Sequence, residues 1–264
     1  LPLLIFQIYL EKILIWLTCF SLLRYIFEYM KIAILGSGGR EHAIANQLLN
    51  SPILKKLYCI PGNAGTGLIS RNVNLDIDDF NKIADFIKNS KIDLVIVGPE
   101  KPLVNGIADF LEKKKIKVFG PKKKSAQLEG SKIFTKKICE KYKIPTAKFG
   151  IFKNKKDANE FLNKSKMPIV VKADGLAAGK GVYICQNLND SKIAVDDIFN
   201  GKFGNAEQLL IEEFLDGEEM SYFVISDGKN FKSFNTAQDH KRVGEGDVGK
   251  NTGGMGAYSP SGLI

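Results

Sequence analysis

The sequence is poor in the residues that build disulfide frameworks, zinc sites and covalent catalytic centres. Its 264 residues include 4 cysteines and 2 histidines, and no two cysteines form a C-x-x-C pair. The spacing of these residues is not typical of a metal site. Cys59, Cys139 and Cys185 lie in apolar or helical runs. We therefore expect buried free thiols and a reducing, cytoplasmic compartment.

Two well-known nucleotide-binding motifs are incomplete in this chain. The dinucleotide fingerprint G-x-G-x-x-G would need a third glycine at position 41, where the sequence has Glu41. The run Gly175–Lys180 is one residue too short for a Walker A loop, and Gly181 stands where that motif has Ser or Thr. A nicotinamide-dependent dehydrogenase is therefore disfavoured and a P-loop is excluded, whereas simpler phosphate-binding turns remain possible.

Long apolar runs and clustered basic patches are also scarce. Residues 13–27 are nearly all apolar, but a membrane span needs about 20 such residues, and no small-residue cleavage site precedes Met30. We expect residues 1–29 to be an extension outside the fold that arises from spurious upstream translation. The net charge is +9, but the lysines are scattered along the chain. This distribution favours a solvated surface and an anionic substrate over nucleic acid or a membrane.

From Met30 onward, strand and helix patterns alternate. An apolar strand at 31–35 is followed by the glycine turn Gly36–Gly39 and by a helical pattern at 40–50. Leu103, Ile107 and Leu111 form one helical face. Further strands are predicted at 57–60, 93–97 and 117–119, with a helix at 79–88. This order predicts an α/β domain with a doubly wound parallel sheet, whose site lies at the carboxyl ends of the strands and includes an anion site at the first helix N-terminus.

The second half contains a strand, a glycine-rich turn and another strand over Pro168–Cys185. Three glycines in the turn would let backbone N–H groups approach a ligand, and Lys172 and Lys180 add positive charge. From these residues alone, a flap over a polyphosphate and an ordinary hairpin with solvated lysines are equally good interpretations. Other predicted elements are helices at 131–143, 152–164 and 191–199, a strand at 208–215, a hairpin around Asp227-Gly228, and substrate loops at 238–242 and 251–256.

Eight stretches, taken in their order along the chain, resemble one family. They are GSGGREHAIA, PGNAGT, VGPEKPLVNGIAD, QLEGSK, VVKADGLAAGKGV, IEEFLDGEE, QDHKRVGEGD and NTGGMGAYSP. Together they resemble the phosphoribosylamine–glycine ligases, also called glycinamide ribonucleotide synthetases, of the ATP-grasp superfamily. The resemblance runs from Met30 to about Pro260. It implies ATP-dependent ligation of glycine to 5-phosphoribosylamine in de novo purine biosynthesis, through a glycyl phosphate, with ATP, glycine and 5-phosphoribosylamine as partners.

The resemblance also implies roles for individual residues. Lys132 and Lys172 match the lysines that neutralise the ATP phosphates. Residues 212–215 match the strand that meets adenine through its backbone, and Glu219 matches the carboxylate that binds the ribose. The implied ATP-binding residues are Lys132, Lys172, Gly179, Lys180, Gly181, Glu212, Glu213, Phe214, Leu215 and Glu219. The implied catalytic residues are Lys172, Asp239, His240, Lys241 and Arg242. The implied substrate-binding residues are Gly36, Gly38, Gly39, Arg40, Glu41, His42, Asn63, Gly65, Thr252, Gly253 and Gly254.

A domain plan and a missing metal site follow from the same resemblance. An N-terminal Rossmann-like domain with a connecting helix is expected at 30–149, an ATP-grasp lid at 150–219, and the start of the ATP-grasp core at 220–264. The family's Mg²⁺ or Mn²⁺ ligands belong to a later R-F-G-D-P-E-like region, so we expect no metal ligand within this C-terminally truncated chain. We therefore expect it to be inactive alone; the alternative function is that of a catalytically inactive nucleotide-binding fragment.

Overall fold

A computed structural model describes residues 29–176, 181–204, 206–246 and 248–264. Residues 1–28 of the predicted extension lie outside this part of the chain, and so do Gly179 and Lys180 of the glycine-rich turn. The chain divides into two compact units, with the boundary between Gln127 and Leu128. The predicted domain limits at 149/150 and 219/220 stay predictions.

The first unit is built on a sheet of five parallel strands. The strands are β1 (Met30–Gly36), β2 (Leu54–Pro61), β3 (Arg71–Asn72), β4 (Leu94–Val97) and β5 (Val118–Phe119). The helices between them are α1 (Gly39–Leu48), α2 (Ala64–Ile69), α3 (Phe80–Asn89), α4 (Glu100–Asn105) and α5 (Ile107–Lys113). The strand order is β3-β2-β1-β4-β5, and each neighbouring pair is parallel.

Both faces of this sheet are buried, because successive side chains of a strand point to opposite sides. Leu35 of β1 belongs to a core with Ile83 of α3 and Ile107 of α5. Its neighbour Ile34 belongs to a second core with Ala45 of α1. All five side chains are 0% exposed. Helices on both faces, with a strand order that reverses between β1 and β4, confirm the predicted doubly wound α/β fold.

One stretch of the first unit differs from the sequence-based expectation. Leu103, Ile107 and Leu111 are buried as predicted, but they belong to α4 and α5 instead of one helix. Gly106 ends α4 with a φ of +98°, and this left-handed conformation interrupts the helix. After β2 the chain forms the short helix α2, because the Asn63 side chain caps a backbone N–H of its first turn.

The second unit is built on an antiparallel sheet. A helix that crosses the boundary between the units, α6 (Lys123–Gly130), is followed by α7 (Lys132–Tyr142), β6 (Phe149–Phe152), α8 (Lys155–Leu162), β7 (Ile169–Ala173), β8 (Val182–Cys185), α9 (Leu188–Phe199) and β9 (Leu209–Glu213). The sheet order is β6-β9-β7-β8, with antiparallel neighbours. Strands β7 and β8 flank the glycine-rich stretch and pair with each other, so the two predicted strands are confirmed.

The two faces of this sheet carry different side chains. On one face, Val171 of β7 and Ile211 of β9 pack in an apolar core with Ala158 of α8 and with α9. Since strand side chains alternate, the neighbouring residues Lys172 and Glu212 point to the other face. Lys136 of α7 pairs with Glu212 on that face. The sheet therefore separates an apolar core from a charged face.

The helix predicted from Phe152 begins later than expected. Phe152 pairs with Leu209 in the β6–β9 ladder, so it belongs to a strand. The Asn154 side chain then accepts the Asp157 N–H at 2.9 Å and caps α8. The predicted start of this helix was wrong, because strand pairing with a distant segment is not visible in local periodicity.

Beyond β9 the described strands are short. They are β10 (Val224–Ser226), β11 (Phe231–Ser233), β12 (Gln238–Asp239), β13 (Arg242–Gly244), β14 (Val248–Asn251) and β15 (Ala257–Tyr258). Antiparallel pairing of β10 with β11 confirms the hairpin predicted around Asp227-Gly228. Strand β12 pairs with β15, and β13 pairs with β14. The β10–β11 hairpin exposes apolar side chains, including 71% of Phe231.

Candidate functional site

The turn after β1 is formed around a buried carboxylate. The Gly38 N–H donates to Glu41 Oε2 at 2.6 Å, and Glu41 is 4% exposed. Gly36 has a φ of +125°, and a Cβ built there would lie 2.7 Å from the Glu41 side chain. A Cβ at Gly98, which follows β4, would collide with the same side chain. Glu41, predicted to bind substrate, therefore contacts the turn itself, and Gly36 and Gly98 provide the space that it fills.

Arg40 and Asn63 connect this turn to the neighbouring loops. Arg40 Nη1 donates to the Gly98 carbonyl at 2.6 Å, and its Nη2 lies 2.7 Å from Glu100 Oε1. Asn63 Nδ2 donates to the Ser37 carbonyl at 2.9 Å. The loops after β1, β2 and β4 therefore meet at the carboxyl edge of the sheet, where the topology predicts a site.

The Arg40–Glu100 pair is charged at neutral pH. Burial raises the pKa of the Glu100 carboxyl, but hydrogen bonds from its own backbone N–H and from Arg40, together with the Arg40 charge, outweigh burial and hold this pKa below its usual value. Arg40 therefore keeps an ionised partner. Beside it, Ser37, Gly38 and Gly39 are exposed at the opening of α1.

His42 lies against the loop after β2. A Cβ at Gly65 would lie 2.7 Å from His42 Cε1, so glycine at position 65 leaves room for the imidazole. Two residues behind this loop were missed by the sequence reasoning. Thr66 Oγ1 donates to Asn72 Oδ1 at 2.8 Å, and Asn72 Nδ2 donates to the Asn63 carbonyl at 2.7 Å. The polar composition around this loop was the one sequence feature that pointed to Thr66 and Asn72. The parallel pairing of β2 with β3 is what brings Asn72 next to the loop.

In the second unit, a buried carboxylate lies between two lysines on the charged face of the sheet. Glu212 Oε1 forms an ion pair with Lys172 Nζ, and Glu212 Oε2 lies 2.6 Å from Lys136 Nζ. The side chains of Lys136 and Glu212 are 11% and 6% exposed, and that of Lys172 is 26% exposed. Lys172 and Glu212 were predicted to bind ATP, whereas Lys136 was missed.

Lys132 lies at the base of the glycine-rich turn. Its Nζ donates to the Gly175 carbonyl at 2.9 Å, and Gly175 has a φ of +98°. Burial lowers the pKa of the Lys132 ammonium, the charge of Asp174 opposes this change, and the nearby Lys172 charge adds to it. Asp174 also accepts the Ser131 hydroxyl at 2.9 Å. The turn is therefore joined to the first residues of α7.

The strand predicted to meet adenine ends at Glu213. Glu213 and Lys148 exchange two hydrogen bonds, since the Glu213 N–H donates to the Lys148 carbonyl and Glu213 Oε1 accepts the Lys148 N–H, both at 2.9 Å. Phe214 and Leu215 continue beyond the strand, and in the described part of the chain their N–H groups have no hydrogen-bond partner. Across the sheet, the buried Gly181 accepts the Ala173 N–H at 2.8 Å, so its carbonyl belongs to the β-ladder.

The two predicted substrate loops lie together. The His240 N–H donates to the Gly256 carbonyl at 2.9 Å, and the Thr252 N–H donates to the Lys241 carbonyl at 2.7 Å. Lys241 Nζ pairs with Glu219 and lies 4.0 Å from Asp239 Oδ1. Backbone pairing therefore brings together residues of the catalytic and substrate-binding sets. Arg242 is the first residue of β13. Gly253 and Gly254, in the second predicted substrate loop, are exposed.

The described residues do not form a metal centre of their own. Within the ranges that the structure describes, no three or more His, Cys, Asp or Glu side chains group as metal ligands would. In the same ranges, no helix is both long enough and apolar enough to cross a bilayer.

Two family models match the chain, one for each part of the fold. The phosphoribosylglycinamide synthetase N domain matches residues 30–129, and the ATP-grasp (A) domain of the same synthetase matches residues 130–264. Curated relatives named phosphoribosylamine–glycine ligase include those of Mesorhizobium japonicum, 53% identical over 233 residues, and Escherichia coli K12, 48% identical over 239 residues. The alignments cover 88% and 89% of this chain, and 55% and 56% of those relatives.

Solved structures agree with this match. The phosphoribosylamine–glycine ligase of Thermotoga maritima superposes with a TM-score of 0.73 at 33% identity, covering 89% of this chain and 56% of that one. The biotin carboxylase domain of Hydrogenobacter thermophilus 2-oxoglutarate carboxylase has a TM-score of 0.67 at 18% identity, covering 81% of this chain and 51% of that one. The second likeness shows the fold alone.

The fold and the family matches define an α/β protein that combines a doubly wound N domain with an ATP-grasp domain. The chain belongs to the phosphoribosylglycinamide synthetase family. It spans about half the length of the curated relatives that it matches.

Proposed function

We propose that this chain is part of an enzyme that uses ATP to ligate glycine to 5-phosphoribosylamine in purine biosynthesis. A carboxylate oxygen of glycine attacks the γ-phosphorus of ATP, the bond to the β–γ bridging oxygen breaks, and glycyl phosphate and ADP form. The amine nitrogen of phosphoribosylamine then attacks the glycyl carbonyl carbon. Phosphate leaves with the bonding electron pair, the amine loses a proton, and glycinamide ribonucleotide is formed.

The observation that carries this proposal is the placement of two lysines at the base of the glycine-rich turn. Lys172 is near the end of β7, and Lys132 donates to the first carbonyl of the turn, that of Gly175. Both side chains are partly buried, so their charges are screened less than those of surface lysines. Phosphoryl transfer depends chiefly on positioning and on charge stabilisation around the phosphates. These lysines, with Gly179, Lys180 and Gly181, are proposed to hold the ATP phosphates.

The proposed adenine and ribose contacts lie at the end of β9. The N–H groups of Phe214 and Leu215 have no partner in the described part of the chain, so they can bind the edge of a base. Glu212 and Glu213 precede them on the strand. Glu219 is exposed and pairs with Lys241, and we assign its carboxylate to the ribose hydroxyls.

The first unit is proposed to bind the phosphate of phosphoribosylamine. Gly39 and Arg40 are the first residues of α1, and their N–H groups lie at the positive end of the helix dipole. The Gly38 N–H is occupied by Glu41, so the anion is assigned to the exposed N–H groups that follow. The remaining proposed substrate residues are Gly36, His42, Asn63, Gly65, Thr252, Gly253 and Gly254, and Asp239, His240, Lys241 and Arg242 are proposed to act in catalysis.

A binding experiment on the chain tests the nucleotide part. We expect Lys172→Met to weaken ATP binding at least about tenfold, because a neutral side chain cannot replace a charge next to phosphate. Isothermal titration with ATP measures the loss. Lys164→Met is the matched control, since Lys164 is exposed in the same unit. Equal ATP affinity for Lys172→Met and the control would limit the role of Lys172 to its ion pair with Glu212.

The alternative function is that of a nucleotide-binding fragment without catalysis, since the aligned part is 55% and 56% of the length of two curated relatives. The measurement that separates the two is ADP formation with ATP, Mg²⁺, glycine and freshly prepared phosphoribosylamine. We expect this 264-residue chain to bind ATP without glycine-dependent ADP release. Turnover at the rate of a full-length relative would contradict the assignment of the metal ligands to sequence outside this chain.

A further inference from the structure

In the cluster Lys136–Glu212–Lys172, the buried Glu212 carboxylate needs a positive partner when Lys172 binds phosphate, and the proposed function does not say which residue that is. Lys172 pairs with Glu212, yet the proposed reaction requires its ammonium at the ATP phosphates. If Lys172 were the only partner of Glu212, this move would leave an unpaired carboxylate with a side chain only 6% exposed. Removing one partner of a buried ion pair is strongly unfavourable, because the remaining charge keeps its full desolvation penalty.

Lys136 is held in place by more contacts than Lys172. Its Nζ lies 2.6 Å from Glu212 Oε2 and donates to Thr146 Oγ1 at 2.7 Å and to the Ala147 carbonyl at 3.3 Å. It also lies 5.4 Å from the centre of the Phe149 ring, within cation–π range. These contacts involve α7, β6 and the residues before β6, so moving the Lys136 ammonium would break several interactions at once.

Lys172 has fewer restraints and greater solvent access. In the part of the chain that the structure describes, Glu212 is the one carboxylate within ion-pair distance of Lys172. Its side chain is 26% exposed, against 11% for Lys136. Lys172 is also two residues before Asp174, where the glycine-rich turn begins. The two lysines therefore differ in the number of contacts that hold them, although they share one carboxylate.

We infer that Lys136 is a positioning residue: it is the permanent counter-charge of Glu212, and it frees Lys172 to exchange its pairing with Glu212 for the phosphates of a bound nucleotide. This inference rests on the proposed function and deepens it. Without a nucleotide, Glu212 bridges both lysines. With a polyphosphate bound, Lys136 alone keeps Glu212 paired and holds its carboxylate in place at the end of β9.

The first test needs no nucleotide and measures thermal unfolding of the 264-residue chain. We expect Lys136→Met to lower the Tm by about 5 °C or more, and Lys172→Met to lower it by less than about 2 °C. The double variant Lys136→Met/Glu212→Gln should recover most of the loss, because the buried side chain at position 212 is then neutral and the Lys172 ammonium that loses its partner is 26% exposed. Equal losses for the two lysine variants, or no recovery in the double variant, would overturn the inference.

The second test compares ATP with adenosine, which has no phosphate to draw Lys172 away from Glu212. In Lys136→Met, ATP affinity should fall at least about tenfold more than adenosine affinity, and Lys136→Arg should restore it. Competition against a fluorescent ATP analogue measures both. An equal loss for the two ligands shows a merely structural role and refutes the inference. Failure of ATP to bind the wild-type chain instead refutes the proposed nucleotide site, while the unfolding test still decides whether Lys136 is the permanent partner.

Discussion

At the scale of single residues, the glycine turn of the first unit serves two purposes that can be separated by mutation. Gly36 and Gly98 make room for the buried Glu41 carboxylate. Gly39 has nothing within 4 Å of the place a Cβ would occupy, so this position is open to solvent or to a ligand. Glycine is therefore required for packing at some positions and is compatible with ligand approach at another.

We expect Gly39→Val to block anion binding at the N-terminus of α1 without lowering the stability of the fold. Binding of ribose 5-phosphate, followed by NMR titration, should weaken at least about tenfold, while the urea midpoint changes little. Asn46→Val, at an exposed position on the same helix, controls for the cost of a β-branched residue in a helix. Gly38→Val should lose both binding and stability, because its Cβ would lie 2.9 Å from Glu41 Oε2. Unchanged ribose 5-phosphate binding by Gly39→Val would remove the turn from the substrate site.

The thiols differ from the expectation at one position. Cys59 and Cys185 are buried, as predicted, but Cys139 is half-buried on α7. Burial raises the pKa of Cys59, and it raises the pKa of Cys185 to about 11. Cys19 lies outside the described residues. These buried thiols are neutral at physiological pH and are poor nucleophiles, which agrees with a mechanism that needs no cysteine.

The raised Cys185 pKa predicts a loss of stability at alkaline pH. The thiol ionises near pH 9 in the unfolded chain and near pH 11 in the folded one. Between these values the unfolded state binds fewer protons, so this contribution to the unfolding free energy falls with rising pH, by up to about 1.4 kcal/mol per pH unit. Urea titrations from pH 8 to pH 11 measure the slope. Cys185→Ala should show a shallower slope; an identical slope in both proteins would contradict the assignment.

At the scale of elements, the start of α7 joins a helix to the glycine-rich turn. Ser131 Oγ accepts the Phe134 N–H at 3.0 Å and donates to Asp174 Oδ2 at 2.9 Å. Asp174 Oδ1 accepts the Ile133 N–H at 3.1 Å. The Asp174 carboxylate therefore caps α7, and these hydrogen bonds hold Asp174 in place next to Gly175.

We expect Asp174→Ala to destabilise the chain by about 1–2 kcal/mol, because a helix cap and a charge-assisted hydrogen bond are lost together. Asp174→Asn should cost less, since its amide oxygen can still accept the Ile133 N–H. Urea unfolding of the two variants measures the difference. As a control, Asp157→Ala removes an exposed hydrogen bond to the α8 cap, from Asn154 Nδ2 at 2.8 Å, and should have a smaller effect. An Asp174→Ala effect no larger than the control would show that the link does not stabilise this unit.

At the scale of the whole molecule, the described C-terminal part exposes an unusual amount of apolar side chain. Phe231 and Phe234 are 71% and 58% exposed, and Tyr222 and Phe223 are 55% and 50% exposed. The Phe234 N–H donates to the Phe223 carbonyl, so these two residues are neighbours across the hairpin. Several exposed apolar side chains on one hairpin are typical of an interface, whereas single exposed apolar residues are normal.

The exposed hairpin predicts self-association of this chain. Sedimentation velocity should show the apparent mass rising with protein concentration, because apolar surface of neighbouring molecules is buried on contact. Phe231→Ser/Phe234→Ser should reduce that rise. Leu68→Ser, which removes an isolated apolar side chain that is 88% exposed in the first unit, should leave it unchanged. Association of the double variant at wild-type level would exclude the hairpin as its cause.

The sequence by itself determined the parts of this protein that depend on local pattern. Alternating strand and helix signals from Met30 predicted the parallel sheet of the first unit, and Asp227-Gly228 predicted the β10–β11 hairpin of the second. Both predictions succeeded because turn chemistry and periodicity are local properties. Eight ordered stretches indicated the family that the matches to both domains show. Glu41 was informative as a departure from the dinucleotide fingerprint, although its neighbours alone did not show what it contacts.

Only the tertiary structure decided which charged groups meet. Lys136, Lys172 and Glu212 come from a helix and two strands that are far apart in sequence, so no spacing rule connects them. Phe152 joined a strand instead of a helix for the same reason, because its ladder partner Leu209 is distant in the chain. Local periodicity reports which face of an element is apolar, but the identity of the element on the other side depends on topology and packing. The family resemblance therefore predicted a phosphate-binding role for Lys172, whereas only the structure assigned its carboxylate partner and the second lysine that shares it.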